Sequence, residues 1–248
     1  MTILVVCGLR REAAIAQGAG VATVAGGGDR RALEGRLAAL DRTPFEAVVS
    51  FGLAGALADD LEPGTTLVPQ AVLGDDARRY PADRSLVSHW RAACGARSLP
   101  WSDGDIVGSD VPVLTKAAKH DLARSGASAV DMESHVAAAY ASRRVLPFAA
   151  LRVISDPAGR DLPPLAGSAM RPDGSVDVAG VVAGLARDPR QLPALLRTAR
   201  DAKTAFGALR RVGDLLRLGL PPAGPSSHPA SVANDSHLLT GRRGETID

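Results

Sequence analysis

The chain begins with a continuous apolar run, Ile3–Cys7, that is rich in β-branched residues. Such a run predicts a strand buried on both faces, as in a parallel sheet covered by helices. Ala47–Phe51 and Phe148–Ile154 show the same pattern, and Gly52–Gly55 is predicted to be a tight glycine-containing loop after the first of them. Shorter strands are predicted at Thr65–Pro69, Gln70–Leu73, Ile106–Gly108 and Ala129–Met132.

Segments with apolar residues at helical spacing alternate with these strands. Helices are predicted over Glu12–Gln17, Arg30–Leu40, Thr115–Arg124, Glu133–Ser142 and, at greater length, Gln191–Leu218. Strands that alternate with helices predict an α/β layered fold with a largely parallel sheet. Residues 75–105 are polar and mixed and show no clear period, and Pro157–Ser175 is predicted to be a long loop.

The length of 248 residues fits one domain, which we place at residues 1–220. After Gly219 the sequence PPAGPSSHPASVANDS is rich in proline and serine and poor in residues that form a core. Such a composition does not bury enough apolar surface to offset the entropy of ordering. We therefore expect a disordered tail over residues 221–248.

Composition excludes several classes of partner. The formal net charge is only +2, and aromatic residues make up 3% of the chain, so neither charge nor base stacking favours a nucleic-acid partner. Two cysteines do not make a disulfide framework, and no metal-ligand spacing is present, so no metal is expected. The N-terminus lacks signal-peptide features and no apolar stretch is long enough to span a bilayer, which predicts a cytoplasmic protein.

Polar residues follow the predicted strands at the positions where ligands bind in open α/β sheets, beyond the carboxyl ends of the strands. Glu12, Glu133 and Asp156 each lie just past a different strand, so they are candidates to converge on one crevice. The alternative is structural, because acidic residues at strand ends also cap helices or form turns. Asp131 fits the capping role best.

Four segments resemble the nucleoside phosphorylase and nucleosidase superfamily, with spacing close to that of methylthioadenosine/S-adenosylhomocysteine nucleosidases. They are CGLRREAA, SFGLAGAL, VDMESHVAAAY and PFAALRVISD. The resemblance implies a three-layer domain with a central mixed β-sheet flanked by helices, and a homo-oligomer. LTKAAKHDLARSGASAVDMESH and RPDGSVDVAGVV…PRQLPALLRTARDA further resemble the hopanoid-associated phosphorylases. That group is implicated in removing adenine from adenosylhopane, which implies an adenosine-bearing lipid as substrate.

The resemblance also implies a role for each matched residue. Glu133 would accept hydrogen bonds from the ribose hydroxyls, and Met132 would pack under the sugar. Asp156, oriented by Ser155, would protonate the departing adenine, while Glu12 would act as general base on the attacking water. The remaining substrate-binding positions are Ala54, Gly55 and Val111. Two positions depart from the pattern: Leu53 replaces a small hydroxyl residue, and Val111-Pro112 stands where an aromatic residue normally stacks on the purine.

The nucleophile is left open by the sequence. Glu12 favours water, because its carboxylate repels phosphate, whereas the phosphorylase branch tends to have an arginine at this position. Arg10 and Arg11 are adjacent, and guanidinium groups bind phosphate well, so inorganic phosphate is a possible co-substrate. The structural alternative is that both arginines are solvated. Two further alternatives are a small-molecule methylthioadenosine/S-adenosylhomocysteine nucleosidase and a catalytically silent nucleoside-binding protein.

The predicted C-terminal helix is unusually basic. Residues 187–217 carry eight Lys/Arg and three Asp/Glu. A basic amphipathic helix can lie on an anionic membrane surface, which would allow peripheral contact with the inner face of the membrane. The alternative is that its apolar stripe covers the sheet and its arginines face water.

Overall fold

The computed structural model describes residues 2–74, 78–167, 171, 175 and 177–216. The predicted tail at 221–248 lies outside these residues. The described strands are β1 (Ile3–Cys7), β2 (Val21–Ala25), β3 (Ala47–Ala56), β4 (Thr66–Leu67), β5 (Ala71–Leu73), β6 (Arg79–Pro81), β7 (Trp101–Ser102), β8 (Ile106–Gly108), β9 (Ala129–Asp131) and β10 (Phe148–Asp156). The helices are α1 (Arg10–Ala16), α2 (Arg30–Ala38), α3 (Arg84–Ala96), α4 (Lys116–Ala123), α5 (Ser134–Arg143), α6 (Pro164–Gly167), α7 (Val178–Arg187) and α8 (Leu192–Leu216), with a 3₁₀ helix at Pro189–Gln191.

The strands form one mixed sheet built around β3. β3 pairs in parallel with β1 and β10, and its last residues pair antiparallel with β9. Because β1, β3 and β10 run in the same direction, their carboxyl ends lie at one edge of the sheet. That edge therefore carries the segments that follow all three strands.

Helices cover both faces of the sheet, which confirms the layered α/β fold with a central mixed sheet. Alternate residues of β1 enter different apolar clusters: Leu4 and Val6 pack with α2 and α5, whereas Val5 and Cys7 pack with α1, α3 and α8. This division follows from the period of two in a strand, where successive side chains point to opposite faces. A strand buried on both faces has no polar side, which explains the continuous apolar run.

Some local predictions are wrong, and some elements lie where the sequence predicts none. The predicted loop Gly52–Gly55 belongs to β3, which continues to Ala56 because β10 and β9 both supply pairing partners there. The unassigned residues 75–105 contain β6, α3 and β7. The predicted loop 157–175 includes the short helix α6, and the apolar stretch after it forms α7.

The long C-terminal helix is confirmed, but only half of it is buried. From Ala205 onward its apolar stripe packs on the sheet, with Phe206, Leu209 and Val212 in the apolar cluster that includes α3. Residues 192–204 are exposed or half-buried. No helix in the described part of the chain is both long and apolar enough to cross a membrane.

Candidate active site

Glu12 is held by backbone N–H groups at the carboxyl edge of the sheet. Its Oε2 accepts hydrogen bonds from the N–H groups of Gly8 and Leu9, both at 2.8 Å, and its Oε1 accepts one from Leu53, also at 2.8 Å. The side chain is buried, and burial raises its pKa despite the opposing effects of Arg152 and these hydrogen bonds. A buried carboxylate with a raised pKa is a stronger base than an exposed one.

Two glycines allow the backbone to approach the acidic side chains. A Cβ at Gly52 would lie 2.6 Å from Oε2 of Glu12 and 2.8 Å from Nη1 of Arg152, and Gly52 has a φ of +153°. A Cβ at Gly8 would lie 3.0 Å from both carboxylate oxygens of Glu133. Gly8 therefore lies between the carboxyl groups of Glu12 and Glu133. The structure thus brings these two predicted residues close to each other.

Arg152 lies on β10 and links the acidic groups. It is fully buried, and its Nε lies 2.8 Å from Oδ2 of Asp131, while its Nη1 lies 3.6 Å from Oε2 of Glu133. Its Nη2 donates to Oγ of Ser50 at 2.6 Å. Sequence reasoning missed Arg152, although a single arginine within the apolar run Phe148–Ile154 was a signal, because a charged residue is rarely buried without a partner.

Asp131 fills the predicted capping role and also pairs with Arg152. Its Oδ1 accepts a hydrogen bond of 2.9 Å from the backbone N–H of Ser134, the first residue of α5. Asp131 is thus fixed by the helix that follows Glu133. The carboxylate then contributes to the charge of the site through its ion pair with the guanidinium.

Glu133 is buried between the loops that follow β1 and β2. A Cβ at Gly26 would lie 3.0 Å from its Cγ, and its carboxylate accepts a backbone hydrogen bond from Gly28. Burial, reinforced by the charges of Asp131 and Glu12, raises the pKa of Glu133 to about 8 against the pull of Arg152. Three acidic side chains thus surround one guanidinium, and the carboxylates of Glu12 and Asp131 supply the negative charge suited to stabilising a positively charged sugar.

Asp156 ends β10 and is held by side chains. Oγ of Ser155 donates to its Oδ1 at 2.6 Å, as the predicted orienting role requires. Nζ of Lys119, from α4, is bonded to Oδ2 and also donates to the backbone carbonyl of Pro157 at 2.7 Å. Lys119 is buried, and sequence reasoning missed it, because a lysine in the polar helix KAAKHDLA gives no local sign of burial.

The other predicted residues differ in their placement. Ala54 is buried in β3, and Gly55 lies against Asp156, where a Cβ would come within 3.1 Å of Oδ2. Met132 is half-buried between Asp131 and Glu133, whereas Val111 is exposed, with its carbonyl accepting a hydrogen bond from Oγ of Ser109.

The two candidate phosphate ligands lie at the exposed start of α1. The guanidinium of Arg11 stacks over the ring of Phe206 on α8, 4.0 Å from its centroid. Arg10 is exposed. The structure thus shows the guanidinium of Arg11 on the ring of Phe206.

A cleft of about 550 Å³ opens beside the Glu133 side of the site. Gly28, whose backbone bonds to Glu133, is part of its lining. The other lining residues are Asp29, Arg30, Arg31, Glu34 and Asp110. The cleft is thus lined by both signs of charge.

Comparison with known proteins places this geometry in a family. The model of the family described as the phosphorylase superfamily matches residues 32–174, more than half of the chain. A comparison with curated protein sequences gives no match. The fold, by contrast, has many counterparts among solved structures.

Three of these structures illustrate the similarity. A 5′-methylthioadenosine/S-adenosylhomocysteine nucleosidase from Helicobacter pylori with butyl-thio-DADMe-Immucillin-A has a TM-score of 0.61 at 16% identity, covering 86% of this chain and 98% of its own. The nucleosidase from Colwellia psychrerythraea in complex with adenine has a TM-score of 0.59 at 19% identity, with 73% and 93% covered. The futalosine hydrolase of Helicobacter pylori has a TM-score of 0.57 at 19% identity, with 63% and 88% covered.

At these identities the structural matches establish the fold, and the family model establishes the membership. The match also confirms the expectation of a nucleoside phosphorylase or nucleosidase enzyme at the level of the family. The chain belongs to the phosphorylase superfamily.

Proposed function

We propose that this protein hydrolyses the N-glycosidic bond of a 5′-substituted adenosine, with adenosylhopane as the substrate that the sequence resemblance favours. Glu12 takes a proton from the attacking water, Glu133 binds the ribose hydroxyls, and Asp156 gives a proton to the departing adenine. The proton taken by Glu12 then returns to Asp156 through solvent, so the cycle is balanced. The reaction needs only the nucleoside, water and the side chains of this chain.

The position of the Glu12 carboxylate is the observation that carries the choice of water. Converging backbone N–H groups are a common way to bind phosphate, and the N–H groups of Gly8, Leu9 and Leu53 converge here. Their ligand is the carboxylate of Glu12 itself. A phosphate ion at this place would have to displace a buried carboxylate and approach the further negative charge of Asp131.

The negative charge of the same cluster supports cleavage through a cation-like sugar. The ribosyl group acquires positive charge as the base departs, and fixed carboxylates stabilise that charge without reorganising. At the adenine end of the substrate, proton transfer from Asp156 leaves a carboxylate. The ammonium of Lys119 lies beside this carboxylate and stabilises it. Solved structures of similar fold include a futalosine hydrolase and methylthioadenosine/S-adenosylhomocysteine nucleosidases, which is consistent with hydrolysis on this scaffold.

The direct test is adenine release from adenosylhopane in detergent, measured with and without phosphate and repeated in ¹⁸O-labelled water. Hydrolysis predicts equal release in both buffers and one ¹⁸O atom in the ribosyl product. Release that requires phosphate, with a phosphorylated sugar as product, would contradict the proposal and direct attention to Arg10 and Arg11. Absence of release from every nucleoside tested would favour a nucleoside-binding protein without catalysis.

A second candidate substrate class is favoured by the cleft beside Gly28. Its lining by Arg30, Arg31 and Asp110, among other charged residues, suits the zwitterionic amino acid group of S-adenosylhomocysteine better than an alkyl chain. Comparing kcat/KM for S-adenosylhomocysteine, methylthioadenosine and adenosylhopane separates the two classes.

We also propose a homo-oligomer, on the resemblance alone, and light scattering of the purified protein measures it.

A further inference from the structure

Helix α7 shows an apolar surface to solvent. Its sequence from Val178 to Ala186 is nine consecutive apolar residues, VAGVVAGLA, without a charged side chain until Arg187. No residue of α7 is buried, and Val178 and Val182 are 64% and 61% exposed. Within the described part of the chain, no α7 residue belongs to an apolar cluster. An ordinary surface helix would carry polar residues on its outer face.

The first turns of α8 extend this apolar character. Leu192 and Leu196 are exposed, whereas the burial of α8 against the sheet begins only at Ala205. Exposed large apolar side chains are thus concentrated in the segment 178–196, which we call the α7–α8 surface. Concentrated apolar exposure of this kind marks a surface that binds a partner.

Positive charge accompanies the apolar residues. Arg187, Arg190, Arg197 and Arg200 are exposed, and none forms an ion pair within the residues that the structure describes. The neighbouring acids have other partners. Asp177 pairs with Arg171 at 2.6 Å, Asp201 pairs with Arg160, and Asp188 accepts a hydrogen bond from Gln191 at 3.0 Å. The partner of Asp188 is neutral, so residues 178–200, with four arginines and one aspartate, carry a net charge of 4 − 1 = +3.

We propose that the α7–α8 surface binds the headgroup region of an anionic lipid bilayer. Valine and leucine side chains of α7 and α8 enter the boundary between headgroups and acyl chains, and the arginines bind lipid phosphates. Charge argues against a second copy of the chain as the occupant. A twofold contact between identical surfaces would bring these arginines together, and like charges across an interface oppose association.

This proposal does not depend on which nucleoside is cleaved. Along the chain, α6 and then α7 are the next helices after the strand that carries the proposed leaving-group acid, Asp156. Such an enzyme would meet a lipid-borne nucleoside without extracting it into water. Vesicle binding and nucleoside turnover are separate measurements, and either can fail without the other.

The experiment is co-sedimentation of the full-length protein with vesicles of phosphatidylglycerol and phosphatidylcholine. We expect binding to phosphatidylglycerol vesicles that weakens as salt rises, since salt screens the arginine–phosphate attraction. Val178→Asp with Val182→Asp should lower the binding constant at least tenfold. Val145→Asp is the control for an added negative charge, because Val145 is 68% exposed in the loop between α5 and β10, outside this surface, and it should leave binding unchanged.

The contribution of the arginines to vesicle binding is tested separately. Replacing Arg187, Arg190, Arg197 and Arg200 by glutamine should weaken binding about fivefold per residue. Replacing Arg42, Arg84, Arg97 and Arg124, which are also exposed but lie outside this surface, should have a small effect. No binding to phosphatidylglycerol, or equal losses in both sets, overturns the proposal. Light scattering that shows a dimer dissociated by Val182→Asp, without vesicle binding, would assign the surface to a second copy.

Discussion

Glu12 and Asp156, the two carboxylates proposed to move protons, are held by different parts of the structure. Three backbone N–H groups bind Glu12, and they come from the segment after β1 and from β3. Asp156 is bound by the side chains of Ser155 and Lys119. The environment of the base is therefore set by the path of the backbone, whereas the environment of the acid is set by replaceable side chains.

The difference predicts where each end of the site is sensitive. Side-chain substitution around Glu12 should have little effect unless it moves the backbone, which explains why Leu53 is compatible with the site although it lacks a hydroxyl. Its contribution is its backbone N–H. Around Asp156, by contrast, a single substitution at Lys119 removes a buried ionic partner.

The largest effect is expected from Glu12→Gln, which removes the base and leaves its position filled. General-base catalysis contributes about 10²–10⁴-fold, so kcat should fall by that factor. Because burial raises the pKa of Glu12 above 4.5, the wild-type rate should also fall on the acid side at a higher pH than for an exposed glutamate. Glu46→Gln, at an exposed position just before the amino end of β3, is the matched control. A variant within tenfold of the wild-type rate would contradict the assignment.

Lys119→Met should lower kcat by about 10²-fold, because Asp156 loses the ammonium that holds it and stabilises its carboxylate. KM should change much less, since Lys119 acts through Asp156 and is itself buried. Lys119→Arg should recover part of the rate. Lys116→Met, one turn earlier on the same helix and exposed, controls for the loss of a charge. Equal losses in kcat for the Lys119 and Lys116 variants would show that Lys119 has no specific role.

Gly52→Ala tests whether the backbone beside Glu12 tolerates a change of shape. The new Cβ would meet Glu12 and Arg152 at less than 3 Å, at a φ of +153°, so we expect a loss of about 2–3 kcal/mol in the free energy of unfolding. Gly35→Ala is the control, since nothing lies within 4 Å of its Cβ position on α2. That change should raise stability by up to about 1 kcal/mol. Denaturant unfolding of both variants distinguishes a specific clash from a general intolerance of alanine.

The parts of this site that follow from sequence are those tied to strand patterns. Continuous apolar runs located β1, β10 and the first half of β3, and the rule that ligands bind beyond carboxyl ends then pointed to Glu12 and Asp156. The structure places Glu12 beside Glu133 across Gly8, while the roles of these residues stay predictions. The second half of β3 was missed because its glycines suggested a turn, and its strand partners are distant in sequence.

The buried cations could not be located in the same way. Lys119 and Asp156 lie on separate elements, and only tertiary packing brings them together. Arg152 was easier to notice in the sequence, because its charge interrupts an apolar strand. Pairing it with Asp131, Glu133 and Ser50 still required the register of β10 against β3. Local sequence patterns therefore do not predict ion pairs between residues that are far apart in the chain.

The smallest expected effect concerns Glu133 and the stability of the protein without ligand. Burial raises its pKa from 4.5 to about 8, so the folded state holds a proton that the unfolded chain releases between these values. Stability should therefore fall as pH rises through this window, by linkage. Glu133→Gln removes this titration, and the variant should gain at least about 1 kcal/mol over wild type at pH 8, or 2–4 °C in Tm, with little gain at pH 5.

Activity and stability should move in opposite directions in this variant. Glu133→Gln replaces the group proposed to bind the ribose hydroxyls, so turnover should fall while Tm at pH 8 rises. Calorimetry of wild type and variant across pH 5–8 measures the difference. A difference that does not change with pH would show that Glu133 carries no perturbed proton, and its buried charge would then have to be balanced by Arg152 alone.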